Sequence, residues 1–166
     1  MEKTIFEEKQ RFNQWWLWVL LIAVGIVPIG LQIIQLFTLK NPLSSGSSIF
    51  SFILTCLAAI FVFLLFFGTT LHTKLDEEGV HVRLSPFHLK WRFYPWNTIK
   101  SFQVRTYHPL SEYGGWGIKG TKHDRAFNIS GKEGLQLVFK DENRLLIGTQ
   151  KPQEVKDWLL NNLKLK

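Results

Sequence analysis

At 166 residues the chain has room for one or two small domains, and its single cysteine, Cys56, excludes an intramolecular disulfide framework. The net charge is +7, yet apolar residues make up 46% of the chain and are concentrated toward its front. That segregation argues against a uniformly soluble chain.

From Phe12 to Leu39 there is no Asp, Glu, Lys or Arg, and "WWLWVLLIAVGIVPIGLQIIQLF" exceeds the ~20 apolar residues that cross ~30 Å of hydrocarbon. A second uncharged stretch has the core "IFSFILTCLAAIFVFLLFFG" (Ile49 to Gly68). The expected spans are residues 15–38 and 49–70, within a transmembrane hairpin of residues 1–73. The link "KNPLSSGSS" is short and rich in helix breakers, so the helices should run antiparallel. A cleaved signal peptide is disfavoured: the apolar run is too long, no A-x-A-like site follows, and the flank "MEKTIFEEKQRF" mixes both charge signs. Lys3, Lys9 and Arg11 precede the first span, Lys40 alone lies between the two, and Lys74 and Arg83 follow the second. This asymmetry predicts a multi-pass protein of the cytoplasmic membrane with both termini in the cytoplasm.

Trp15, Trp16 and Trp18 sit where an interfacial aromatic belt belongs. Pro28, beside Gly25 and Gly30, should kink the first helix, but neither span carries a charge that would mark an ion path. Gln32 and Gln35 share a face and are expected as interhelical hydrogen-bond partners, with Ser51, Thr55 and Ala59 as a small-residue packing stripe on the second helix. Cys56 reads as a small packing residue.

From Lys74 to Lys166 the composition is that of a soluble domain, with 16 Lys and Arg against 10 Asp and Glu. Short β-branched and aromatic runs separated by turns predict seven strands: "LHTKL", "GVHVRL", "HLKWRF", "IKSFQVRTY", "RAFNI", "LQLVFK" and "RLLIGT". The last element, "KPQEVKDWLLNNL", reads as a helix with Val155, Trp158, Leu159 and Leu163 on one apolar face, which should cover an open end of a curled sheet.

Seven antiparallel strands closed by a C-terminal helix describe a pleckstrin-homology (PH) fold. The stretches "YPWNTIKSFQVR", "GGWGI", "RAFNISGKEGLQLVF" and "LLIGTQKPQEVKDWL" resemble bacterial membrane proteins with a PH-like domain behind a two-helix anchor, a group whose functions are mostly unassigned. The resemblance implies an α+β chain: a helical hairpin, then a seven-stranded antiparallel barrel capped by a helix. It implies no catalytic motif and no cofactor. Phosphoinositide-binding PH domains grip head groups with basic residues around the first hairpin, but here that turn is Asp76, Glu77, Glu78, Gly79, so this property is not carried over.

Gly115, Gly117 and Gly120 spell G-x-G-x-x-G, with Gly114 before them. A dinucleotide loop needs a strand just before and a helix just after, and a Walker loop needs Gly-Lys-Ser/Thr; "HPLSEY" and "TKHDRAFNI" supply neither. These glycines are expected to set loop geometry between strands. His72, His81, His88, His108 and His123 lack metal-ligand spacing, and the Asn128-Ile129-Ser130 sequon is disregarded on the cytoplasmic side.

Lys119, Lys122, His123 and Arg125 form a basic run expected to meet a protein partner or anionic lipid, with ordinary solvation as the alternative. The leading expectation is a non-enzymatic protein-interaction or oligomerisation module. An anionic-lipid-responsive membrane protein is second and a small transporter subunit third. Nucleic acid is not an expected partner.

Overall fold

The computed structural model describes residues 5–38 and 46–163, which form two compact units. One is made by residues 13–68. The other combines residues 5–12 with residues 69–163.

The first unit is helical, with α1 at Trp15–Thr38 and α2 at Gly46–Gly68. The windows Trp15–Gln35 and Ile49–Gly68 are 21 and 20 residues of strongly apolar helix, long enough to cross a membrane. Large apolar side chains such as Val24, Ile26, Phe61 and Phe67 point outward from both helices. The expected second span stops at Gly68, because residue 70 already belongs to a strand. Lys3 and residues 39–45, which include Lys40 and most of the expected turn, lie outside the described residues.

Small residues let the helices approach. A Cβ on Gly25 would sit 3.6 Å from that of Ala59, and the Gln32 amide donates to the Thr55 hydroxyl at 3.0 Å. This bond is the interhelical contact expected of Gln32, whereas Gln35, expected to make one as well, is exposed. Trp18 packs edge-on against Phe63.

The second unit holds two sheets. β1 (Phe6–Arg11), β2 (Thr70–Leu75), β3 (Gly79–Ser85) and β4 (Arg92–Pro95) form an antiparallel meander in that order. The later strands are β5 (Ile99–Thr106), β6 (Gly117–Gly120), β7 (Asp124–Asn128), β8 (Glu133–Phe139) and β9 (Arg144–Gly148), arranged β5-β8-β9-β7-β6. A short helix, α3 (Pro109–Tyr113), follows β5, and α4 (Pro152–Asn162) ends the unit.

Three expectations are corrected. The strands form open sheets of four and five, with no closed barrel of seven. They are not all antiparallel, since β7 and β9 run parallel, with Asp124 opposite Arg144 and Phe127 opposite Ile147. The boundary at residues 73/74 also moves, because β1 and all of β2 belong to the β unit and the helical hairpin is inserted between them.

β1 escaped the sequence reading because its inward row is polar. Phe6, Glu8 and Gln10 are buried and Glu7, Lys9 and Arg11 exposed. Glu8 accepts hydrogen bonds from the Thr149 hydroxyl at 2.6 Å and the Gln150 N–H at 2.7 Å, and the Gln10 amide donates to Gly148 O at 2.6 Å. Long-range partners thus turn a charged-looking flank into an edge strand with a buried face.

Leu71, Leu75, Val80, Val82 and Leu84 of the first sheet, with Leu137, Ile147 and Phe127 of the second, are fully buried. α4 packs against β1, β5 and β8. Val155, Trp158 and Leu159 are buried and Leu163 half-buried, and Trp158 stacks on Trp96 with ring centroids 6.2 Å apart. A smaller core of Tyr107, Tyr113, Ala126 and Leu146 brings α3 onto the second sheet.

Candidate functional site

The glycine segment is built from a helix cap and a hairpin. Gly114, at φ 72°, is the left-handed cap of α3, and Gly115, Gly117 and Gly120 also have positive φ. The element that follows Gly120 is the strand β7, not a helix. The Thr121 N–H donates to Asp124 O at 2.8 Å, closing a tight turn between β6 and β7. A Cβ on Gly120 would lie 2.1 Å from Asp124 O, so glycine is demanded there by both backbone angle and space. The backbone geometry leaves no helix N-terminus aimed at a phosphate after the motif.

The hairpin carries the basic run but divides it. Lys122 and Arg125 line an open cleft of about 400 Å³ together with Arg144, and Phe93, Tyr94 and Phe139 line it as well. Lys119 is not among the lining residues; it reaches back over Gly115. His123 is exposed and its Nδ1 lies 2.7 Å from Asn143 Oδ1, while the Arg144 N–H donates to His123 O. Arg144 was not singled out from the sequence, because only the parallel β7–β9 register brings it beside the hairpin.

Among the described residues, Asp141 is the one carboxylate lining the cleft, and it accepts from the backbone N–H and side-chain amide of Asn143. Among the described residues, no carboxylate forms an ion pair with Lys122, Arg125 or Arg144. Three cations against one engaged anion give the cleft a positive potential, and its aromatic walls add apolar contact. The arrangement suits an acidic group attached to something partly apolar.

His88 adjoins this region from the β3–β4 connection. Its ring meets Phe127 edge-on at 5.1 Å and its Nδ1 accepts the Leu84 N–H at 3.2 Å. Burial, then the charges of Arg92 and Arg125, push its pKa down. Burial and then Arg83, Lys9 and Arg11 do the same to His72. The folded state therefore binds fewer protons than the unfolded chain. The associated stability is present above the ordinary histidine value of about 6.5 and lost as pH falls below it. Thermal melts of the full chain in detergent should show Tm falling on the acid side of about pH 6.5, with a shallower fall in His88→Asn. An equally steep acid fall in that variant would count against His88 as a source.

A second polar cluster, behind the second sheet, is structural. Asn128 is fully buried, donating to the Tyr107 hydroxyl at 3.0 Å and accepting the Gly117 N–H at 2.9 Å. Its sequon is thus closed to modification in the folded unit. Tyr113 donates to Asp124 at 3.2 Å, and burial followed by the Asp124 charge pushes its pKa up to about 12. Arg105 binds Glu112 at 2.8 Å and Gln136 at 3.1 Å. Asp76 also serves architecture: its carboxylate accepts the Glu78 and Gly79 N–H groups in the first β-hairpin turn and lies 3.0 Å from His81 Nε2. Among the described residues, no group of three His, Cys, Asp or Glu side chains is placed to hold a metal.

No protein-family model matches the chain, and none of the curated proteins matches it.

Proposed function

We propose that this chain is an integral protein of the cytoplasmic membrane, with α1 and α2 as an antiparallel anchor and both ends in the cytoplasm. In this reading the β unit is a PH-like, non-enzymatic interaction module that holds an acidic segment of a protein partner. Support for the anchor comes from two uncharged helices of spanning length with outward apolar side chains. Support for the PH-like reading comes from two mainly antiparallel sheets with a C-terminal helix packed against both. The parallel β7–β9 pair and the hairpin inserted after β1 depart from that layout.

One observation carries the binding reading: Lys122, Arg125 and Arg144 converge on a single cleft without ion-pair partners among the described residues. Guanidinium groups present planar donor pairs that match a carboxylate, and ring walls accept the apolar part of a peptide. The same three charges also favour an anionic lipid head group, which is the second reading.

A photo-crosslinking residue at Thr98, an exposed position lining the cleft, separates these readings in native membranes. The full chain should give a discrete protein adduct, strongly reduced by Arg125→Ala with Arg144→Ala and by high salt, while Lys122→Ala should lower binding without changing Tm. Adducts to lipid alone would favour the second reading. Adducts indifferent to both arginines would overturn the cleft as the binding site.

A further inference from the structure

Outside the lining of the cleft, the β3–β4 connection is the most exposed apolar segment of the β unit among the described residues. Phe87 is 53%, Leu89 91% and Trp91 44% exposed, all within five consecutive residues. The residues between them behave differently. His88 is buried against Phe127 and tied to Leu84 through both its N–H and its ring nitrogen, so it pins the loop while its neighbours project. Lys90 is exposed between Leu89 and Trp91, and the Arg83 guanidinium lies 5.1 Å over the Trp91 ring. The outward row on the first sheet continues from the half-buried Arg83 and His72 to the exposed Lys9. Apolar tips framed by cations, with a tryptophan among them, fit the interfacial zone of a bilayer. There indole and aliphatic groups enter the head-group region and Lys or Arg meets anionic phosphate.

Chain connectivity argues for the same occupant. Ser85, the last residue before the loop, pairs with Thr70, and Thr70 is two residues beyond the end of α2. Two residues of chain reach at most ~7 Å and a strand spacing adds ~5 Å. If α2 ends at a membrane surface, the loop begins close to it.

We propose that residues 87–91 dock into the interface of an anionic bilayer, with Leu89 and Phe87 inserted, Trp91 at the head-group level, and Lys90 and Arg83 on lipid phosphates. This rests on the membrane-anchor reading and is independent of what the cleft binds.

The test uses the full chain with Cys56→Ser and one spin-labelled cysteine, reconstituted in phosphatidylcholine vesicles with or without phosphatidylglycerol. Labels replace Leu89, Val24 in α1, or the exposed Lys132. At Leu89 relaxation by oxygen should exceed relaxation by a water-soluble nickel chelate, as at Val24, with the reverse at Lys132. Adding Lys90→Glu should move the Leu89 label toward water in the phosphatidylglycerol vesicles. Nickel-dominated relaxation at Leu89 with a lipid-like Val24 overturns the docking and leaves the anchor standing. Low relaxation by both agents at Leu89 means that protein covers the loop, which also overturns it. Nickel-dominated relaxation at all three positions overturns the anchor reading as well.

Discussion

A fragment running from Lys74 to Lys166 should fail to fold, whereas a chain in which residues 12–69 are replaced by Asn-Gly should fold as a small soluble domain. The fragment lacks β1 and residues 70–73 of β2, and with them the buried Phe6 and the fully buried Leu71. Losing large buried side chains costs about 2 to 5 kcal/mol each. The buried Thr149 hydroxyl and Gly148 carbonyl lose their partners on Glu8 and Gln10, at about 1 to 3 kcal/mol each, and the Gln150 N–H loses Glu8 as well. Together these losses match or exceed the ~5 to 15 kcal/mol that holds a small domain together. The spliced chain keeps every β1–β2 pair. Arg11 and Thr70 face each other in the register, so a two-residue turn of the Asn-Gly kind closes them as an ordinary hairpin. Far-UV circular dichroism and amide dispersion in NMR spectra decide the matter. A well-folded Lys74–Lys166 fragment would make β1 dispensable, and an unfolded splice would mean that the helical hairpin supplies something the sheets need.

Trp158→Ala should cost about 3 to 5 kcal/mol, because the indole is buried and stacked on Trp96, on a helix that packs against β1, β5 and β8. For a domain of this size that loss lowers Tm by at least about 12 °C or prevents folding. Leu160→Ala removes an apolar residue from the same helix at an exposed position and should leave Tm nearly unchanged. The comparison isolates burial from helix propensity, since both substitutions introduce alanine into α4. Melts of the full chain in detergent, followed by the β signal, would read it. A Trp158→Ala variant melting with the wild type would mean that α4 does not hold the two sheets.

What could be read from the sequence was carried by local periodicity. The uncharged runs behind α1 and α2, the i, i+3, i+4 face of Val155, Trp158 and Leu159, and the hairpin turn at Asp76–Gly79 each depend on neighbours a few residues away. The glycines were legible for the same reason: a cluster of four in seven residues signals backbone angles that other residues avoid, and all four adopt positive φ. The strand β6 between Gly117 and Gly120 was hidden because two of its four residues are glycine, which carries no strand signal.

Where partners are distant, only the tertiary structure decided. Glu8 and Gln10 look solvent-facing until Thr149, Gln150 and Gly148, some 140 positions on, satisfy them, and this makes a charged flank the edge strand of a sheet that a helical hairpin interrupts. The parallel pairing of β7 with β9 likewise sets Arg144 beside Arg125 and Lys122 while leaving Lys119 out, so the cleft's composition follows from register and not from adjacency in the chain. Alternation and propensity specify which residues can lie in a strand; they carry no information about which strand is next to it, because that choice is made by burial and hydrogen-bond satisfaction across the whole unit.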